Sequence, residues 1–231
     1  MHRIPHVRMA SPPYLSDSQD YEAAMLEPLV AQWRVIREEA LQIPQWTAWP
    51  ETQHYSKARS KSSDDDSDDD EPFHPTWNVF PLCHCFPANQ PEKKVWIDKT
   101  CAFVPRTVQL LQQHLGPVLR TALFSRLDPE TTLEAHTGWS DLANHVIRCH
   151  LPLMVPEGGL CGTWVDGCVE THEEGRFLCF DDSKTHRAFN YSSGDRIVLI
   201  LDLARPQYLP LGTATGGHSD ELDQFIAQMN V

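Results

Sequence analysis

Three residues in the C-terminal half of this 231-residue chain have types and spacing that could do chemistry. His136 closes a strand-like run and is followed by Thr137 and Gly138. His186 lies fifty residues on, directly after an apolar stretch, in FDDSKTHRAFN. Arg196 stands ten residues further and opens the most apolar run of the chain, Ile197 to Leu203. Two neutral imidazoles suit Fe(II): non-haem iron oxygenases hold the metal with two histidines, usually with one carboxylate, and leave positions open for cosubstrate and oxygen. A dicarboxylate such as 2-oxoglutarate chelates such a metal with one end and needs a cation for the other. An arginine fork matches a carboxylate bidentately, and its charge survives burial better than that of lysine, so Arg196 is suited to anchor the far carboxylate. The spacing alone is weakly specific. There are twelve histidines, and His84, His114, His145, His172 and His218 are read as ordinary surface or hydrogen-bonded residues.

The elements that must position this set are mostly strands. From about 118 to 206 the chain shows short apolar runs, among them HVIRCHLPLMV, LCGTWVDG, CVETHEEG, RFLCFDDS, HRAFN and RIVLILDLARP, separated by the turn sequences VDG, EEG and SSGD. Such spacing predicts a sandwich or barrel. Upstream, Tyr21 to Gln42 reads as a helix, with Pro28 in its first turns arguing for a later start. WNVFPLCHCF (77–86) reads as a strand and 101–115 as a second helix. The reading is mainly β with N-terminal helices, a cupin-like jelly roll or double-stranded β-helix. Its expected parts are a loose lead-in (1–20), a single oxygenase-type domain (21–215) with helical support at 21–50 and 101–120, and a tail or short helix (216–231).

Composition removes several classes. The net charge of −13 is concentrated in Asp64, Asp65, Asp66, Asp68, Asp69, Asp70 and Glu71, within a stretch (56–72) expected to be a disordered acidic loop that could dock basic partners. The remainder is only mildly acidic, which gives no reason to expect nucleic acid. No apolar run approaches the roughly 20 residues that cross a bilayer, and the N-terminus lacks the apolar core of a secretory signal; the expected compartment is cytoplasmic. Seven cysteines form no paired CxxC motifs, so reduced, mostly buried thiols are expected rather than a structural zinc site.

The segment HTG…VIRCHLPL…FDDSKTHRAFN…DRIVLILDLARP resembles the aspartyl/asparaginyl β-hydroxylase family of 2-oxoglutarate oxygenases. The resemblance covers about Ser125 to Pro206, with weaker similarity at Trp33–Glu39 and at 77–82. It implies that His136 and His186 hold Fe(II), that Arg196 pairs with the distal carboxylate of 2-oxoglutarate, and that His150 and Ser125 support that cosubstrate. Arg148 matches a position that contacts an acidic or amide substrate group, and on a strand it shares a face with His150. Most such oxygenases carry His-x-Asp where this chain has Gly138; the resembled family also has glycine there. Water would then fill the vacant position, with Asp141 as a substitute carboxylate to be tested.

The implied reaction consumes oxygen and 2-oxoglutarate, yields succinate and carbon dioxide, and hydroxylates an unactivated C–H bond, the β-carbon of an aspartyl or asparaginyl residue in a peptide or protein. Three rivals stay open: hydroxylation of a lipid acyl chain or small natural product, a non-catalytic jelly roll using the histidines structurally or for zinc, and an interaction protein acting through its acidic loop.

Overall fold

The computed structural model describes residues 12–15, 23–51, 54, 76–157 and 160–229. The acidic stretch 56–72 and most of the lead-in lie outside them. The described elements are, in order, α1 (Ala23–Ala31), α2 (Trp33–Leu41), β1 (Thr47–Ala48), β2 (Trp77–His84), β3 (Val95–Trp96), α3 (Asp98–Cys101), α4 (Pro105–Leu115), β4 (Leu119–Leu127), β5 (Thr131–Thr132), α5 (Ser140–Ala143), β6 (Val146–Met154), β7 (Cys161–Val165), β8 (Cys168–Thr171), β9 (Leu178–Phe180), β10 (His186–Asn190), β11 (Arg196–Ala204) and α6 (Asp220–Met229).

The strands form two antiparallel sheets. The larger runs β1-β2-β4-β11-β6-β9 with β3 on the edge of β2, and the smaller runs β5-β10-β7-β8. Side chains from both sheets line one inner cavity, the arrangement of a double-stranded β-helix, as the strand pattern predicts.

β11 is central, paired with β4 on one side and β6 on the other. All of Arg196–Leu203 is buried, because both faces of the large sheet are covered. Ile197, Leu199, Leu201 and Leu203 join Ile147, Cys149, Leu151 and Leu153 of β6 in a core with Leu29, Ile36, Leu111 and Leu115 of the helices. The alternate residues therefore point inward between the sheets. Burying each of these aliphatic side chains contributes about 1.5–3 kcal/mol, which holds the inward-facing polar set in register.

Three boundaries differ from the sequence reading. The helix read over 21–42 is two helices that break at Gln32 (φ −113°, ψ 12°), with Pro28 tolerated inside α1. The second helix starts at Pro105, a favoured first position, after the separate turn α3. The large sheet also begins well before 118, since β2 pairs with β4 along Trp77–Cys83. Within the lead-in, Tyr14 bridges to Phe180 of β9 and its hydroxyl donates to the Thr163 carbonyl at 2.6 Å. The VDG turn closes the β7–β8 hairpin with Asp166 and Gly167 both at positive φ (49° and 92°), the two-residue geometry that favours Asp-Gly.

Candidate active site

His136 and His186 face one another across an isolated antiparallel bridge. Their backbones exchange hydrogen bonds (His136 N to His186 O, 3.0 Å; His186 N to His136 O, 2.8 Å), and their ring centroids lie 4.5 Å apart. Each Nδ1 contacts a carbonyl two residues back: Glu134 O at 2.8 Å and Lys184 O at 2.9 Å. A carbonyl can only accept, so each Nδ1 carries the proton and each Nε2 presents a lone pair, the tautomer a metal requires. Burial favours the same neutral form. It is the largest cause pushing the His136 imidazole down to about 3 and that of His186 well below the ordinary histidine range.

The register of the large sheet brings the other expected residues to the same interior. Ser125 stands opposite Val198, His150 opposite Ile200 and Arg148 opposite Asp202, and with Arg196 they line a small cavity that both imidazoles also line. Arg196 is 1% exposed. Its Nε and Nη1, and both ring nitrogens of His150, are buried without a hydrogen-bond partner. Desolvation lowers the Arg196 guanidinium to about 10, still cationic at neutral pH. Buried polar groups are nearly always paired, so orphaned donors around one cavity mark a place shaped for an anion. Trp77 Nε1 donates to Ser125 Oγ at 3.0 Å and holds that hydroxyl on the cavity wall.

Asp141 is not beside the imidazoles; its carboxylate lies 3.2 Å from His218 Nε2. The carboxylate that does reach them is Asp182, with Oδ1 3.4 Å from His186 Nε2 and 2.6 Å from Arg148 Nη1. Burial raises its carboxyl to about 7 despite the opposing pull of Arg148. Its neighbour Asp181 shapes the turn, accepting from Ser183 N and Oγ at 3.1 and 2.7 Å and pairing with Arg205.

Arg148 also differs from the free cation that the substrate role calls for. Its Nε and Nη2 donate to Asp202 Oδ1 and Oδ2 at 2.8 and 3.0 Å, and Asp202 is steadied in turn by Thr121. The chain thus supplies the anionic partners itself. Sequence reasoning missed Asp182, Asp202 and His54, whose ring stacks on His136 at 4.3 Å and 19°. For Asp182 a signal existed, a carboxylate four residues before a candidate ligand. Among the described residues no group of three or more His, Cys, Asp or Glu is arranged to hold a metal. No described helix is long and apolar enough to cross a membrane.

A family model described as aspartyl/asparaginyl beta-hydroxylase matches residues 30–206. The chain is 40% identical over 95 residues to an ornithine lipid ester-linked acyl 2-hydroxylase from Rhizobium tropici, covering 41% of this chain and 33% of that protein. It is 38% identical over 119 residues to human aspartate beta-hydroxylase domain-containing protein 2, covering 48% and 31%. With human aspartyl/asparaginyl beta-hydroxylase it shares 31% over 116 residues, covering 49% and 15%. The matched region spans a third or less of the length of each of these relatives.

Proposed function

The chain belongs to the aspartyl/asparaginyl β-hydroxylase family, and from that premise we propose that it is an Fe(II)- and 2-oxoglutarate-dependent oxygenase that hydroxylates an unactivated C–H bond, the β-carbon of an aspartyl or asparaginyl residue in a peptide or protein. The observation that carries this reading is the orphaned guanidinium of Arg196 and the orphaned imidazole of His150 in one cavity with two tautomer-fixed histidines.

The donor set fits both groups. His136 and His186 would hold Fe(II) through Nε2. Arg196 would pair with the distal carboxylate of 2-oxoglutarate, with Ser125 beside it, and His150 would hydrogen-bond the carboxylate at the metal. When bound, the metal and cosubstrate supply the oxidising power, with succinate and carbon dioxide as the by-products. The protein contributes position and dryness. The carbonyls of Glu134 and Lys184 fix the imidazole tautomers, and Arg148 holds the Asp182 carboxylate against His186. The two sheets bury His186, while His136 is half-buried and faces the cavity mouth. The relative from Rhizobium tropici, an acyl hydroxylase by name, makes an alkyl chain the rival target.

Anaerobic titration with Fe(II) and 2-oxoglutarate tests the reading. A visible charge-transfer band, followed by succinate on admission of oxygen, is the expected result. A folded protein that forms no chelate would assign the histidines another task.

A further inference from the structure

A second cavity opens onto the His136 imidazole. It shares Trp77, His136, Arg148 and Ile200 with the inter-sheet cavity and has about 770 Å³ of space including its mouth. Its walls are overwhelmingly apolar. Trp49 stacks on Trp77 at 4.5 Å and on Trp139 at 5.9 Å, and all three indoles line it. Arg148 is the one cation among the described lining residues, and Asp182 and Asp202 already occupy it.

The wall beside the tryptophans is α6, which lies outside the matched residues 30–206. Leu222, Phe225, Ile226 and Met229 fall at i, i+3, i+4 and i+7, one stripe of a helix, and all four line the cavity. Leu222 is 2% exposed, yet the other three are only half-buried. A helix serving the core alone would bury the whole stripe. The start of α6 is fixed by Ser140 N donating to Gly216 O at 2.7 Å and by His218, set between Asp141 and Asp223. Beyond Phe225, Met229 and Pro81, which line both, lies an open hollow with Thr47, Phe80 and Phe103, leaving room for a chain to continue outward.

We infer that α6 walls an apolar substrate subsite, in which Phe225, Ile226 and Met229 with Trp49 and Trp139 receive the large apolar side chain of the residue next to the target in an aspartyl or asparaginyl peptide. This deepens, and rests on, the proposed function. The stretch of wall built by α6 and the tryptophans carries no charge and disfavours a charged neighbour, because an ion there would lose its hydration without gaining a partner. An apolar neighbour gains by leaving water, and one leucine-sized side chain is sufficient for about a tenfold preference.

The test uses the full chain and the fluorescence of its cavity tryptophans, with acetyl-Leu-Asn-Leu-amide and acetyl-Ser-Asn-Ser-amide as probes. The leucine peptide is expected to bind at least about tenfold more tightly. Phe225→Ala should cut that preference to under about threefold, as should Met229→Ser, at the exposed end of the helix, if the first variant fails to fold. Equal binding of the two peptides overturns the subsite, as does a preference untouched by either variant. N-octylacetamide binding as tightly as the leucine peptide would also overturn it, in favour of an alkyl chain. The chelate titration separates the two layers: a chelate without peptide preference sinks the subsite alone, and preference without a chelate sinks the oxygenase reading alone.

Discussion

Gly138 and Asp182 occupy one volume. A Cβ on residue 138 would stand 2.0 Å from Asp182 Oδ2 and 2.7 Å from the Ala143 Cβ, so this glycine is required by a neighbouring carboxylate rather than by its own backbone angles. Gly138→Ala is expected to displace Asp182 and cost about 1–3 kcal/mol, read as a fall in Tm. Asp182→Ala makes room, so the double variant should lose less than the sum of the two single losses. Strict additivity would show that the contact carries no strain.

Arg196→Met should separate stability from function. The guanidinium is buried with Nε and Nη1 unpaired, so an apolar side chain of similar length relieves a desolvation cost. The Tm of the ligand-free protein is expected to rise, by about 2–4 °C per kcal/mol relieved. The stabilisation that 2-oxoglutarate gives the wild type should vanish, with affinity lower by at least about 30-fold. A variant still stabilised by 2-oxoglutarate would mean another cation anchors it.

The start of α6 should loosen as pH rises. The side-chain hydrogen bond to Asp141 is the largest cause raising the His218 imidazole, aided by Asp223. A group raised on folding contributes stability that is fully present below its unfolded value, about 6.5, and lost as pH rises through its folded value. The pair is partly exposed, so about 0.3–1 kcal/mol is at stake. Thermal unfolding from pH 6 to 9 should show wild type losing this increment while His218→Gln stays flat relative to it. Parallel profiles would remove the clasp from the account.

Much of the β framework was legible because its run lengths and turns are local properties. β6, β10 and β11 fall within a residue or two of the apolar runs that announce them, and the order His136, His186, Arg196 survives as a spatial cluster because β11 and β10 carry two of its members inward. The polar interior was less legible. Asp202 sits in the middle of RIVLILDLA and reads as a blemish in an apolar strand; only the register with Arg148 on β6 shows that it is paired. Asp182 stands beside Asp181 in FDDS with nothing in the sequence to tell them apart, and the fold separates them, one to organise the turn and one to meet His186. α6 had a capped, periodic sequence, with Ser219 Oγ accepting from Leu222 N at 3.2 Å, but what its stripe faces depends on Trp49 and Trp77, distant in the chain.

The occupied state of Arg148 bears on which carboxyl derivative the site prefers. Nε and Nη2 serve Asp202, and Nη1 serves Asp182, so an aspartyl side chain entering the cavity would meet a guanidinium already neutralised by Asp202 and with its remaining donor taken by Asp182. A neutral amide meets no such repulsion, and the wild type should therefore favour asparaginyl over aspartyl peptides. Asp202→Asn removes one negative charge while keeping an acceptor for Arg148. It is expected to cost about 1–3 kcal/mol of stability, as a bidentate ion pair becomes a single hydrogen bond from the guanidinium to an amide oxygen, and to shift the ratio of kcat/KM toward the aspartyl peptide by about tenfold or more. Matched acetyl-Leu-Asn-Leu-amide and acetyl-Leu-Asp-Leu-amide, followed by succinate release, measure that ratio. If Asp202→Asn leaves the ratio unchanged, the Arg148–Asp202 pair is structural only, and substrate charge must be read elsewhere in the cavity.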